Sequence, residues 1–206
     1  MASMLGGPAD TVAQALLGLM LCRRFEDGVV VRGRIVETEA YAGVEDAASH
    51  SFGGRRTARN EAMYGRAGMA YVYFTYGMHW CMNVVCATQG DPQAVLLRAI
   101  EPVEGIDRME TNRLANPKAA RVLPEAQIGA GPARLCAAFG IDRAWNGSDL
   151  LKGGERGERL WLEPGVVPAV VVLGPRIGID RAGEPWVSKP LRFGDAGSPS
   201  LSRRFR

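Results

Sequence analysis

The chain has 206 residues, 47% of them hydrophobic, with a formal charge of +3 and a pI near 8.8. That length and apolar content fit one domain, 1–206, with a sizeable core, and exclude general disorder. So mild a charge balance excludes a globally polycationic nucleic-acid binder; any such contact must come from a local basic face.

Asp10 reads as the cap of a first helix, with Val12, Ala15, Leu16, Leu19 and Met20 at helical spacing. Val29 to Tyr41 reads as a strand. If extended, it places Ile35, Glu37, Glu39 and Tyr41 on one side and Val36, Thr38 and Ala40 on the other. Ser49 to Arg66 is a glycine- and arginine-rich loop. Ala70–Thr75 and Trp80–Val85 form a hairpin with Tyr76 at its tip. A three-residue loop, Thr75–Gly77, puts Tyr71, Tyr73, His79, Cys81 and Asn83 on one face. Val95–Ile100 is a strand whose only charge is Arg98. Pro102 opens a helix that Asn116-Pro117 ends, with Ile106, Met109 and Leu114 inward. Gly131-Pro132 starts a short helix stopped by Gly140, and residues 144–158 read as a polar surface loop. Late strands follow near Leu160–Leu162, Ala169–Leu173 and Leu191–Phe193. Strands on both sides of a helical middle predict an α+β domain with a curved, largely antiparallel sheet, flanking helices and a protruding hairpin.

Cys22, Cys81, Cys86 and Cys136 form no CxxC pair and sit in apolar settings. They read as buried free thiols in a reduced, cytosolic protein. No Cys/His cluster has metal-ligand spacing, so neither metal nor cofactor is expected. Met1–Asp10 lacks the parts of a secretory signal. The longest apolar run, Val166–Leu173, is too short to span a bilayer.

The chemistry gathers early in the chain. Two glutamates on a strand are ordinarily a solvated edge, but Val36, Ala40 and Tyr41 argue against a fully wet strand here. At least one acid then faces a cleft, where a carboxylate partly withdrawn from water can take a proton from a bound water. Arg98 in VLLRAI either snorkels to solvent from an edge strand or pairs with a glutamate. His50 alone reads as a hydrogen-bonded structural residue. Tyr41, Tyr71 and Tyr73 suit a core as well as a pocket. Tyr76 differs, because an aromatic in a turn beside Gly77 can wedge between stacked bases. The loop GGRRTARN, with Arg55, Arg56 and Arg59, followed by Arg66, is either a solvated basic loop or a phosphate clamp.

Four ordered blocks (RIVETEAY, HSFGGRRTARN, YVYFTYGMHWCMNVV and VLLRAIEP) span Arg34 to Pro102, with looser matches at GPARLC and KPLRF. Together they resemble the alkyladenine (3-methyladenine) DNA glycosylase family, of the type without a helix-hairpin-helix. The resemblance implies a monofunctional base-excision enzyme acting on duplex DNA that contains damaged purines; a monomer on DNA is the simplest expectation. It places such a protein on the bacterial nucleoid, or in the nucleus of a eukaryote. It implies Glu39 as general base, with Arg98 helping to hold the attacking water. Tyr41, His50 and Tyr73 would sandwich the flipped base, Ala48 and the His50 backbone would read its edge, and Asn83 would screen purines. Tyr76 would fill the hole left in the duplex, and Arg55, Thr57 and Arg59 would bind phosphate. The chain departs from the family pattern at Phe52, Ala58 and His79. No lysine lies in the matched blocks to form a Schiff base, so no strand cleavage is expected. The readings left open beside this one are a binder that flips bases without hydrolysis and a hydrolase of free nucleosides.

Overall fold

The computed structural model describes residues 1–115, 121–152 and 157–205. Eight antiparallel strands form one curled sheet: β1 (Met20–Arg24), β2 (Val30–Tyr41), β3 (Ala70–Thr75), β4 (His79–Cys86), β5 (Gln93–Glu104), β6 (Arg159–Glu163), β7 (Val171–Gly174) and β8 (Arg192–Asp195). The order is β3-β4-β5-β2-β1-β6. Strand β8 pairs with β2 beyond the end of β1 and carries β7. Among the described residues, four α-helices, α1 (Ala2–Leu5), α2 (Ala9–Leu16), α3 (Ile106–Leu114) and α4 (Pro132–Ala138), complete the α+β architecture.

The sheet has two faces of different character. One face carries Ile35, Ala40, Val72, Met82, Val84, Val95 and Leu97 into the main core, against α2 and α4. Thr38 shares this face and donates its hydroxyl to the Ala13 carbonyl, 2.8 Å away, on α2. The other face carries the acids and aromatics. A register shift between Ile35 and Glu37 separates the two sets. A simple alternation would put Ile35 beside Glu37 and Glu39. Instead, the extra residue in this bulge sends Ile35 to the core with Ala40, while the glutamates face away from it.

Several local expectations are corrected. The helix expected first is α2, preceded by the short α1; it begins at Ala9, after Pro8, so Asp10 lies in its first turn and not at the cap. It ends at Leu16. Gly18, at φ +87°, breaks it, and Met20 belongs to β1, a strand the helical spacing concealed. The hairpin loop is Tyr76–Met78, two residues of register away from the expected one. Because a shift of two preserves side-chain parity, Tyr71, Tyr73, His79, Cys81 and Asn83 still share one face. Pro102 does not open a helix. It sits inside β5 opposite Gly33, next to a bulge in β5 itself, where Val103 is the extra residue between the Gly33–Pro102 and Arg32–Glu104 pairs and the missing N–H is tolerated. Gly105, at φ +72°, ends that strand and starts α3. Met109 is buried and Ile106 packs on the core, but Leu114 is exposed. The Asn116-Pro117 stop lies outside the described residues. Within 144–158, the described part is not merely surface: Leu150 is buried, and the Asn146 amide oxygen accepts the Val72 N–H at 3.0 Å. All four cysteines are buried and free.

Candidate active site

A row across the sheet brings distant residues together. Tyr71 pairs with Asn83, Asn83 with Leu96, Leu96 with Glu39 and Glu39 with Arg192. Neighbouring strands lie about 5 Å apart, so one row juxtaposes five strands. Tyr41, Tyr73, Cys81 and Arg98 project from the same face. A cavity of about 420 Å³ opens there, lined by Tyr41, Ala48, His50, Tyr73, Asn83 and Arg98, with Tyr76 at its edge.

Beneath the cavity lies a buried cluster of two acids and two guanidinium groups. Glu37 and Glu39 are both wholly buried. Glu37 Oε1 accepts from Arg98 Nε at 3.1 Å, Arg192 Nη1 at 3.0 Å and the Ser202 hydroxyl at 2.9 Å; its Oε2 accepts the Ser202 N–H at 2.6 Å. Glu39 is held differently. Its Oε1 accepts the Ile177 N–H at 2.8 Å and lies 3.1 Å from Arg98 Nη1, while its Oε2, among the described residues, accepts only the Tyr41 hydroxyl, at 3.0 Å. A carboxylate oxygen has two acceptor positions, so Oε2 of either glutamate keeps one open, but Glu37 accepts four hydrogen bonds in all and Glu39 two. Two carboxylates against two arginines balance in charge, which is what allows four ionic groups to be buried together. Of the two readings of Arg98, pairing is the one realised.

Glu39 does not itself line the cavity. Tyr41, Arg98 and Ile177, all of which touch its carboxylate, do. Burial raises its pKa above the ordinary 4.5, and Arg98, the Ile177 amide and the Tyr41 hydroxyl offset part of that rise.

The aromatic wall has its own order. Tyr71 and Tyr73 stack at 5.4 Å, and His50 sets its edge against Tyr73 at 4.6 Å. His50 Nδ1 shares a 2.8 Å hydrogen bond with the Tyr71 hydroxyl. Burial first, then Arg59 and Arg55, push the His50 pKa down to about 4, so the imidazole is neutral at pH 7. Tyr41 lines the same cavity, with the Arg176 guanidinium 4.6 Å from its ring centroid. Arg176 forms a wholly buried pair with Asp46, with Nη2 to Oδ1 at 2.9 Å, and also donates to the Ala40 carbonyl at 2.9 Å. Asp46 in turn accepts the N–H groups of Ala42 and Ala48, each at 3.0 Å. The pair therefore clamps the end of β2 to the turn leading to His50. Asn83 donates to the Tyr71 carbonyl at 3.1 Å, which fixes its amide in the cavity wall.

Of the proposed phosphate ligands, Arg55, Thr57 and Arg59 line a side cavity of about 300 Å³ that also touches His50. Asn60, buried and unremarked in the sequence, organises this loop. Its amide nitrogen donates to the carbonyls of His50 and Arg55, and its oxygen accepts from the Thr57 N–H and hydroxyl. Arg59 donates to the Phe74 carbonyl at 3.1 Å. Arg56 and Arg66 do not join the set: Arg56 pairs with Glu61 at 2.9 Å and Arg66 pairs with Asp149. Tyr76 is 81% exposed at the hairpin tip. Missed altogether were Asp46, Arg176, Ile177, Arg192 and Ser202. The only sequence signals for them were the turn-forming GPRIG and the arginine in KPLRF.

The site thus combines a buried carboxylate–guanidinium cluster under an aromatic cavity with a basic loop and an exposed tip tyrosine. The chain belongs to the methylpurine-DNA glycosylase family, whose family model matches residues 3–199. It is 48% identical over 201 residues to the Mus musculus protein named DNA-3-methyladenine glycosylase and 47% identical to the Homo sapiens protein of that name. Each match covers 95% of this chain but only 58% of the mouse protein and 65% of the human one. A protein of Methanocella arvoryzae is 46% identical over 197 residues, 96% of this chain and 92% of its own length. No helix among the described residues is long and apolar enough to cross a membrane.

Proposed function

We propose that this chain, working as a single domain, is a monofunctional DNA glycosylase. It flips an alkylated or deaminated purine out of duplex DNA, cleaves the N-glycosidic bond with an activated water and leaves an abasic site. The observation that carries this reading is the unequal holding of the two acids. Glu37 accepts four hydrogen bonds, from Arg98, Arg192 and Ser202, the last two outside the cavity lining, whereas Glu39 accepts two and the groups that touch it, Tyr41, Arg98 and Ile177, all line the cavity. Glu39 is thus the general base and Glu37 the group that holds Arg98.

The steps follow from that arrangement. A damaged base leaves the stack at least cost and enters the slot between Tyr41 and the His50–Tyr73 pair. Electron-rich rings attract a cationic or electron-poor purine, and a neutral His50 does not repel it. Tyr76 fills the vacated stack. The N–H of Ala48 and the carbonyl of His50 are occupied by Asp46 and Asn60. The Ala48 carbonyl and the His50 N–H therefore remain as an acceptor and a donor for the base edge. Asn83 crowds the exocyclic positions of ordinary purines. As the C1′–N bond breaks, its electron pair leaves with the purine. Water admitted at the Tyr41–Arg98 wall bonds to C1′ and gives its proton to Glu39 Oε2. The carboxylate also favours the positive charge developing on the sugar. No lysine lines the cavity among the described residues, which suits hydrolysis without strand cleavage. The substrate places the enzyme on the nucleoid or in the nucleus, and a monomer is sufficient.

The test is incubation with duplexes carrying one hypoxanthine or one ethenoadenine. The expected product is an intact abasic strand that breaks only on later alkali treatment. Tight lesion binding with no abasic product on any alkylated or deaminated purine would leave the non-catalytic binder instead.

A further inference from the structure

Beyond Ser202, which holds Glu37, the C-terminal segment has no part in the mechanism so far, yet it contributes Arg203 to the cavity lining. Ser202 bonds Glu37 through both its N–H and its hydroxyl and accepts from Arg98 Nη2 at 3.3 Å. Arg192 donates to the carbonyls of Arg203 and Arg204, at 3.3 and 3.4 Å. The Arg192 guanidinium also lies 3.8 Å from the centroid of the Phe205 ring, which packs so closely on β8 that a Cβ built on Gly194 would fall 2.5 Å from it. The backbone at 202–204 is thus fastened to the acid cluster on one side and to β8 on the other.

That fastening decides where the next side chain points. Arg203 lines the cavity, and Arg204 does not. The lining residues include only two permanent cations, Arg98 and Arg203. Arg98 is buried and committed to Glu37 and Glu39. Arg203 is exposed and forms no ion pair among the described residues. An everted nucleotide brings its own phosphates to the cavity mouth, where Arg98 has no capacity left to meet them. We propose that Arg203 grips a phosphate flanking the everted nucleotide, so that the C-terminal segment is part of the substrate site and not only a strap across its back. This rests on the base-flipping reading above. A guanidinium fork on a tethered backbone suits a phosphate better than a freely moving cation does.

The test compares Arg203→Ala with Arg204→Ala, neighbouring variants that lose the same charge. Each is titrated with an undamaged duplex and with an ethenoadenine duplex whose lesion nucleotide carries a 2′-fluorine to block hydrolysis, across a salt series. On the lesion duplex, Arg203→Ala should weaken binding about tenfold. It should also flatten the log–log salt slope by roughly one, the signature of one lost phosphate contact. Arg204→Ala should do neither, Arg203→Lys should keep the slope, and all should match on undamaged duplex. If Arg203→Ala and Arg204→Ala behave alike on the lesion duplex while the wild type excises normally, this inference alone fails. If the wild type neither prefers the lesion duplex nor excises from hydrolysable substrate, the base-flipping reading fails and takes the inference with it.

Discussion

At the scale of single residues, the proposed division of labour between Glu37 and Glu39 rests on how each is held. Both are buried and both touch Arg98, but Glu37 also pairs with Arg192. Glu37 accepts four hydrogen bonds against two for Glu39, and the groups that touch Glu39 all line the cavity. The pH dependence follows with a definite sign. As the proposed base, Glu39 would act only when ionised, and burial raises its pKa above 4.5. Excision should therefore increase as pH rises through that raised value and be lost below it. Tyr41→Phe removes a hydrogen bond that favours the ionised form, so it should move the acid limb to still higher pH. Single-turnover rates against pH check this; a limb that stays in place in Tyr41→Phe contradicts the assignment.

At the scale of elements, the buried Arg176–Asp46 pair joins the end of β2 to the His50 turn across 130 residues of chain. Asp46→Ala would leave a wholly buried guanidinium without its partner. The expected cost is about 3–5 kcal/mol, read as a lower urea midpoint; a change below about 1 kcal/mol would show that the pair does not anchor the wall. The hairpin makes the opposite point. Tyr76 adopts φ +52°, a left-handed conformation that costs a non-glycine residue about 1–2 kcal/mol. Tyr76→Gly should leave stability unchanged or raise it by up to about 1 kcal/mol, yet weaken lesion-duplex binding. Equal binding by this variant and the wild type would remove the wedge from the account. Legibility varied between these elements for physical reasons. The shared face of the hairpin was readable because strand parity survives a two-residue slip. The phase of Ile35 was not, because a bulge adds one residue without any sequence mark. Pro102 carried the usual sign of a helix start, and its place beside the Val103 bulge of β5 explains it inside a strand.

At the scale of the whole molecule, the sheet serves as a convergence device. One row collects Tyr71, Asn83, Leu96, Glu39 and Arg192 from five strands, and the segments at 176–179 and 202–205 then close over that row. Motif spacing revealed the residues of β2 to β5, which lie close in sequence as well as in space. It could not reveal Arg176, Arg192 or Ser202, since each is bound to a partner more than 100 residues away and surrounded by unremarkable neighbours. The most direct measurement is single-turnover excision by Glu39→Gln from a hypoxanthine duplex, with binding to the same duplex measured in parallel. The account predicts that binding stays within a few-fold of the wild type while the excision rate falls by at least about a hundredfold. Excision at a comparable rate, with the lesion still bound, would contradict it.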